Sequence, residues 1–142
     1  MKILIIDGQG GGIGRQLVEA LKRAGENDVA CVGTNAIATT AMLRAGATRA
    51  ATGENAALVA CREAEVIAGP VGIVIADALL GEVTPRMAAA VGQSLARKVL
   101  IPVNQCRQLR RRRAFGRDDG AAGRAGSGGH PPSGGGRRKI LT

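Results

Sequence analysis

The residues 7–14, Asp7-Gly8-Gln9-Gly10-Gly11-Gly12-Ile13-Gly14, combine an acid with five glycines in the seven positions that follow it. Glycines at a strand-to-helix turn suit phosphate chemistry. They admit positive φ, let a ligand approach the backbone closely, and leave free amides at the positive end of the helix dipole. Other polar or flexible groups recur at intervals that suit the ends of successive strands: Thr34-Asn35, Thr52-Gly53-Glu54-Asn55, Gly69-Pro70 and Asn104-Gln105-Cys106. In this reading the amides of residues 10–14 hold an anion, while Asp7, Asn35, Glu54 and Asn104 supply hydrogen bonds. The candidate ligand-binding residues are Gly8, Gln9, Gly10, Gly11, Gly12, Ile13, Gly14, Thr34, Asn35, Thr52, Asn55, Gly69 and Asn104. Asp7 and Glu54 are the carboxylates available for catalysis. The competing account is a glycine turn that only packs the first helix onto the sheet.

The spacing discriminates among nucleotide chemistries. Gly8, Gly10 and Ile13 do not satisfy Gly-x-Gly-x-x-Gly, whereas Gly8, Gly12 and Gly14 make Gly-x-x-x-Gly-x-Gly. That pattern resembles the cofactor loop of the short-chain dehydrogenases over the first twenty-odd residues. The catalytic signature of that family is a tyrosine with a lysine four positions on, and this chain contains no tyrosine. Dehydrogenase chemistry of that kind is excluded; binding of a nucleotide or dinucleotide is not. Dinucleotide folds often carry an acid at the end of the second strand for the ribose hydroxyls. Here that place holds the neutral Thr34 and Asn35, which argues against a preference for NAD.

The elements that would position these groups alternate in type. An unbroken branched run, Lys2-Ile3-Leu4-Ile5-Ile6, suits a strand buried on both faces, and residues 15–22 repeat apolar groups at helical spacing. Residues 29–33 read as a second strand, followed by a helix over 36–45 with Asn35 as its N-cap. Residues 47–51 suit a short edge strand. Thr52 is expected to cap a third helix that ends near Glu63. Residues 66–70 form the next strand; residues 71–80 are read as helical, with Pro70 at the first position. Thr84 and Pro85 open a helix that carries Met87, Val91 and Leu95 inward, and residues 98–103 form the last strand. The expected architecture is a three-layer Rossmann-like α/β domain over residues 1–106, with a parallel sheet and helices on both faces. Ligands of such sheets bind beyond the carboxyl ends of the strands, the edge that collects the polar groups named above.

Composition removes several classes. The 142 residues fit one domain, and 45% apolar content is sufficient for a core. Three unpaired cysteines and one histidine offer no credible zinc site. The apolar core of residues 3–6, ended by Asp7, is too short for a signal peptide, and no stretch reaches membrane length, so a cytoplasmic protein without membrane contact is expected. The net charge of +9 is uneven: residues 1–106 carry ten basic against nine acidic side chains, residues 107–142 ten against two.

Six stretches together resemble a family of small bacterial proteins known as domain of unknown function 3842. They are residues 6–14, Gly33-Thr34-Asn35-Ala36, residues 51–56, Gly69-Pro70, Leu80-Gly81-Glu82-Val83-Thr84-Pro85 and residues 101–106. The resemblance implies that these motifs form one shared site and brings no activity with it. It also implies a further strand and helix after Cys106, with which this sequence is not expected to continue. Instead residues 107–142 read as an Arg/Gly-rich disordered tail that binds nucleic acid only nonspecifically, through phosphates. The arginine run at 110–113 lies where a valine-rich strand is due. A GC-rich valine run read one base out of frame gives arginine codons, so the tail is read as an out-of-frame product, with a genuine basic tail as the alternative. Two functions remain: an enzyme or binder acting on a phosphorylated small molecule, and a non-catalytic ligand sensor or homo-oligomeric subunit that keeps the fold without chemistry.

Overall fold

A computed structural model describes residues 1–103 of the chain. Asn104, Gln105, Cys106 and the Arg/Gly-rich tail lie outside the described residues. Five strands alternate with four helices in the order β1 (Ile3–Asp7), α1 (Gly12–Arg23), β2 (Val29–Gly33), α2 (Ala36–Arg44), β3 (Arg49–Thr52), α3 (Glu54–Glu63), β4 (Val66–Pro70), α4 (Pro85–Gln93) and β5 (Arg97–Ile101). The strands form one parallel sheet in the order β3-β2-β1-β4-β5. The chain runs outward from β1 to β3 and then returns to the other side of β1. The order therefore reverses between β1 and β4, the place where sheets of this kind open a crevice.

β1 is central because all five of its residues are buried. Its side chains alternate between two cores, as the period of a strand requires. Ile3 and Ile5 pack with Val18, Val29, Cys31 and Met42 under α1 and α2, while Leu4 and Ile6 pack with Val32, Ala57, Ile67, Met87 and Val91 under α3 and α4. Both cores are closed by aliphatic, methionine and cysteine side chains. At the other extreme β3, at one edge of the described sheet, is exposed throughout. Its Arg49 pairs with Asp28 at 2.9 Å, and a charge on an edge strand discourages pairing with another chain.

Local signals account for most boundaries. α1 ends in the hydrogen bonds of a Schellman turn, Gly25 N–H to the Lys22 carbonyl and Glu26 N–H to the Leu21 carbonyl, with Gly25 at φ 86°. Asn35 caps α2 by accepting from Ala38 N–H at 2.9 Å, and Thr84 caps α4 by accepting from Met87 N–H at 3.1 Å. Three expectations are corrected. Residues 71–80 are not a helix: a single 3-10 turn, Val71–Val74, gives way to a chain of turns. Branched Val71, Ile73, Val74 and Ile75 disfavour continuation, and Asp77, Leu79 and Leu80 adopt positive φ. Leu95 does not face inward, because α4 stops at Gln93 and leaves it fully exposed. Thr52 does not cap α3; Gly53 holds that position, and the Thr52 hydroxyl lies 2.7 Å from that of Thr39.

Candidate functional site

Asp7 ends β1 and turns back into the loop it opens. Its Oδ1 accepts from Gly8 N–H at 2.8 Å and its Oδ2 from Gly14 N–H at 2.6 Å. Gly11, the N-cap of α1, has no side chain to offer, so the carboxylate of the preceding strand satisfies one of the helix's first amides. Burial raises the Asp7 pKa above its ordinary value against the pull of the Gly14, Gly8 and Ile13 amides, and the nearby charge of Glu82 adds to the rise. Asp7 is thus committed to holding the loop in shape.

The five glycines divide into two kinds. A Cβ on Gly8 would lie 2.6 Å from the Thr34 hydroxyl and 2.7 Å from Glu82 Oε2; one on Gly14 would collide with Met42 and the Asp7 side chain. Gly11 sits at φ 68° against the backbone of Ala38. These three are required by packing or conformation, as the competing account of the sequence expects. Gly10 and Gly12 differ: a Cβ at either would meet nothing within 4 Å, and neither has positive φ. Among the described residues, no protein acceptor takes their N–H groups, whereas the Gly8, Gln9, Gly11 and Gly14 amides are all occupied. The two free amides flank the N-terminus of a 12-residue helix whose dipole favours negative charge there.

The loop after β2 joins this turn through a residue that the sequence reading named only within a motif. Glu82, two residues ahead of the α4 N-cap, directs one carboxylate oxygen to three donors. Oε2 accepts from Gln9 N–H at 2.8 Å, from Asn35 Nδ2 at 2.9 Å and from the Thr34 hydroxyl. Those donors lower the Glu82 pKa, led by Thr34, so the group is a carboxylate at neutral pH. Asn35 works in three directions: Oδ1 caps α2, and Nδ2 donates both to Glu82 and to the Gln9 carbonyl at 3.0 Å. The acid that the end of β2 lacks in sequence is therefore present there in space. Only the motif Leu80-Gly81-Glu82-Val83-Thr84-Pro85 hinted at it, since a carboxylate just ahead of an N-cap must lie near the strand ends.

Of the remaining candidates Asn104 lies outside the described residues, and the others make no side-chain hydrogen bond to this cluster among the described residues. Glu54 accepts from Arg86 Nη1 at 3.0 Å, which ties α3 to α4. Among the described residues, no hydrogen bond links it to the glycine turn. Asn55 is exposed. Gly69 is explained by packing, since a Cβ there would run into the Ile6 carbonyl of β1. Cys31 and Cys61 are buried free thiols pushed up to about 11 by burial, which leaves them unreactive at neutral pH. Among the described residues no cluster of His, Cys, Asp or Glu is able to hold a metal ion, and no helix is long and apolar enough to cross a membrane. A groove of 580 Å³ lies between α3 and α4, lined by residues that include Leu58, Arg62, Arg86 and Gln93 but none of the glycine turn.

A family model described as Domain of unknown function (DUF3842) matches residues 2–110. The chain belongs to the DUF3842 family. None of the curated proteins and none of the solved structures matches it. For this DUF3842 protein the motif resemblance is thereby borne out, and what the family adds is kinship without an activity. The arrangement itself is what carries chemistry: two free amides at a helix N-terminus, with a carboxylate and two neutral polar side chains beside them.

Proposed function

We propose that this DUF3842 protein binds a nucleotide or another phosphorylated small molecule at the carboxyl edge of β1, β2 and β4. The observation that carries the reading is the pair of uncommitted N–H groups at Gly10 and Gly12, glycines that neither packing nor φ requires. They stand at the N-terminus of α1, beside the point where the strand order reverses. A phosphate there would accept from both amides, and Thr34 and Asn35 would flank its organic part.

Binding without turnover is favoured over catalysis. Both oxygens of Asp7 serve the loop's own amides, and Glu54 is paired with Arg86. Neither carboxylate is left as a free base or nucleophile, which suits a ligand sensor or carrier that uses the fold without a reaction. Native mass spectrometry of the purified full-length chain should find a co-purified phosphorylated compound or show adducts with added nucleotides. In thermal denaturation, ligand at about a hundred times its Kd should stabilise the protein by ~2.7 kcal/mol. Gly12→Val should remove that shift while the domain still folds, because its side chain fills open space at the mouth of the turn. An equal shift in the variant would leave the turn a packing device.

A further inference from the structure

The geometry points to Glu82 as a hydroxyl-recognising residue, so that the phosphorylated ligand carries a vicinal diol of the ribose kind. This deepens the phosphate-binding reading above and rests on it. Three observations lead to the assignment. First, Oε2 of Glu82 is saturated by Gln9 N–H, Thr34 and Asn35, while Oε1 has no protein partner among the described residues. A carboxylate fixed through one oxygen presents the other as an oriented acceptor, and hydrogen bonds to a charged group are the strong ones. Second, the carboxylate stands against Thr34, the residue directly after β2, and above Gly8, the first glycine of the turn. In open parallel sheets that bind dinucleotides, this is the place from which an acid accepts from ribose hydroxyls. Here the acid arrives from the β4–α4 connection. Third, the sign of the charge selects the ligand group. A second anion against Oε1 would be repelled, whereas two hydroxyl donors would not, and the free amides for a phosphate belong to Gly10 and Gly12, neither of which donates to Glu82.

The residue is held from both ends. Val83, which follows it, is fully buried, and Val83 N–H and its carbonyl bond to Ala78 and Asp77 of the same loop. Glu82 N–H donates to the Leu79 carbonyl at 3.3 Å. The carboxylate is therefore positioned by its own loop as well as by the donors it faces, as a recognition group must be.

Titration calorimetry on the full chain tests the assignment, with ADP and GDP each against its 2′,3′-dideoxy counterpart and with inorganic pyrophosphate as the probe of the anion site. The wild type should bind at least one ribonucleotide about tenfold or more tighter than its dideoxy form, the effect of losing hydrogen bonds to a charged acceptor. Glu82→Gln, which keeps the shape but turns a donor toward the ligand, should reduce that ratio to within about threefold while pyrophosphate binding persists. Should Glu82→Gln not fold, Thr34→Val removes the hydroxyl that orients the carboxylate and should reduce the ratio in the same direction. Equal affinity of ribo and dideoxy forms in the wild type, with pyrophosphate bound, would overturn the diol assignment and leave the phosphate reading standing. So would a ratio unchanged in the variant. Tighter ADP binding by Glu82→Gln would show that the carboxylate excludes anions instead of recognising hydroxyls. Failure of pyrophosphate and every nucleotide to bind would overturn both readings. The arginine-rich tail would attract all phosphates alike, so it cannot generate the ratio.

Discussion

Two glycine turns lead into helices on the same edge of this sheet, and they are built differently. The turn between β1 and α1 is knit together by two carboxylates: Asp7 takes two of its amides and Glu82 a third. The turn between β3 and α3 has no such support. Gly53 caps α3 without a side-chain hydrogen bond, Thr52 turns to Thr39, Glu54 turns to Arg86, and β3 itself is exposed. The first turn also lies where strand order reverses, and the second follows a strand at one edge of the described sheet. In sequence both look like glycine turns ahead of an amphipathic helix. What separates them is that side-chain carboxylates fix the geometry of the first turn, and fixed geometry is what a binding loop needs.

The contrast breaks first at Asp7. Asp7→Ala leaves two buried N–H donors without an acceptor, and should cost roughly 2–6 kcal/mol of unfolding free energy in a urea titration. A cost below 1 kcal/mol would mean that the turn holds its shape unaided. Next come the glycines themselves. Gly14→Ala forces a methyl group against Met42 and Asp7 and should destabilise by about 1–3 kcal/mol, whereas Gly12→Ala should be neutral or slightly stabilising at a helix start. Equal losses at the two positions would erase the division between packed and open glycines.

The two carboxylates should also respond to pH with opposite sign. Glu82 has its pKa lowered from 4.5, so its contribution is present above that value and lost as pH falls through the lowered one. Asp7 has its pKa raised from 3.8, so its contribution is present below that value and lost as pH rises through the raised one. Measured against their differences from the wild type in acid, Glu82→Gln should therefore lose stability relative to the wild type as pH rises, and Asp7→Asn should gain it. The smallest effect belongs to the second turn. Glu54→Gln removes an ion pair whose arginine is well exposed, and should change stability by less than about 0.5 kcal/mol and ligand binding not at all.

Much of this organisation is visible in the residue order because the fold is built from local signals. Branched residues mark β1, β2 and β4, Asn35 and Thr84 mark helix starts through bonds to residues three positions on, and Pro85 suits the first helical position through its fixed φ. The segment 71–80 misleads because its apolar residues serve two purposes: Ile73 fills the core while Leu80 is exposed on a loop with positive φ. Glu82 is the least legible member of the candidate site. Its partners Gln9, Thr34 and Asn35 lie 73, 48 and 47 positions away, and only the return of β4 to the far side of β1 brings them together. A residue whose role is made by topology leaves no periodicity to read.

The central claim concerns two backbone amides, and they can be observed directly. In a nitrogen–proton correlation spectrum of the full chain titrated with inorganic pyrophosphate, the Gly10 and Gly12 resonances should move furthest and saturate together, while Gly53 stays in place. Shifts confined to the arginine-rich residues beyond position 106, or equal shifts at Gly12 and Gly53, would contradict the account.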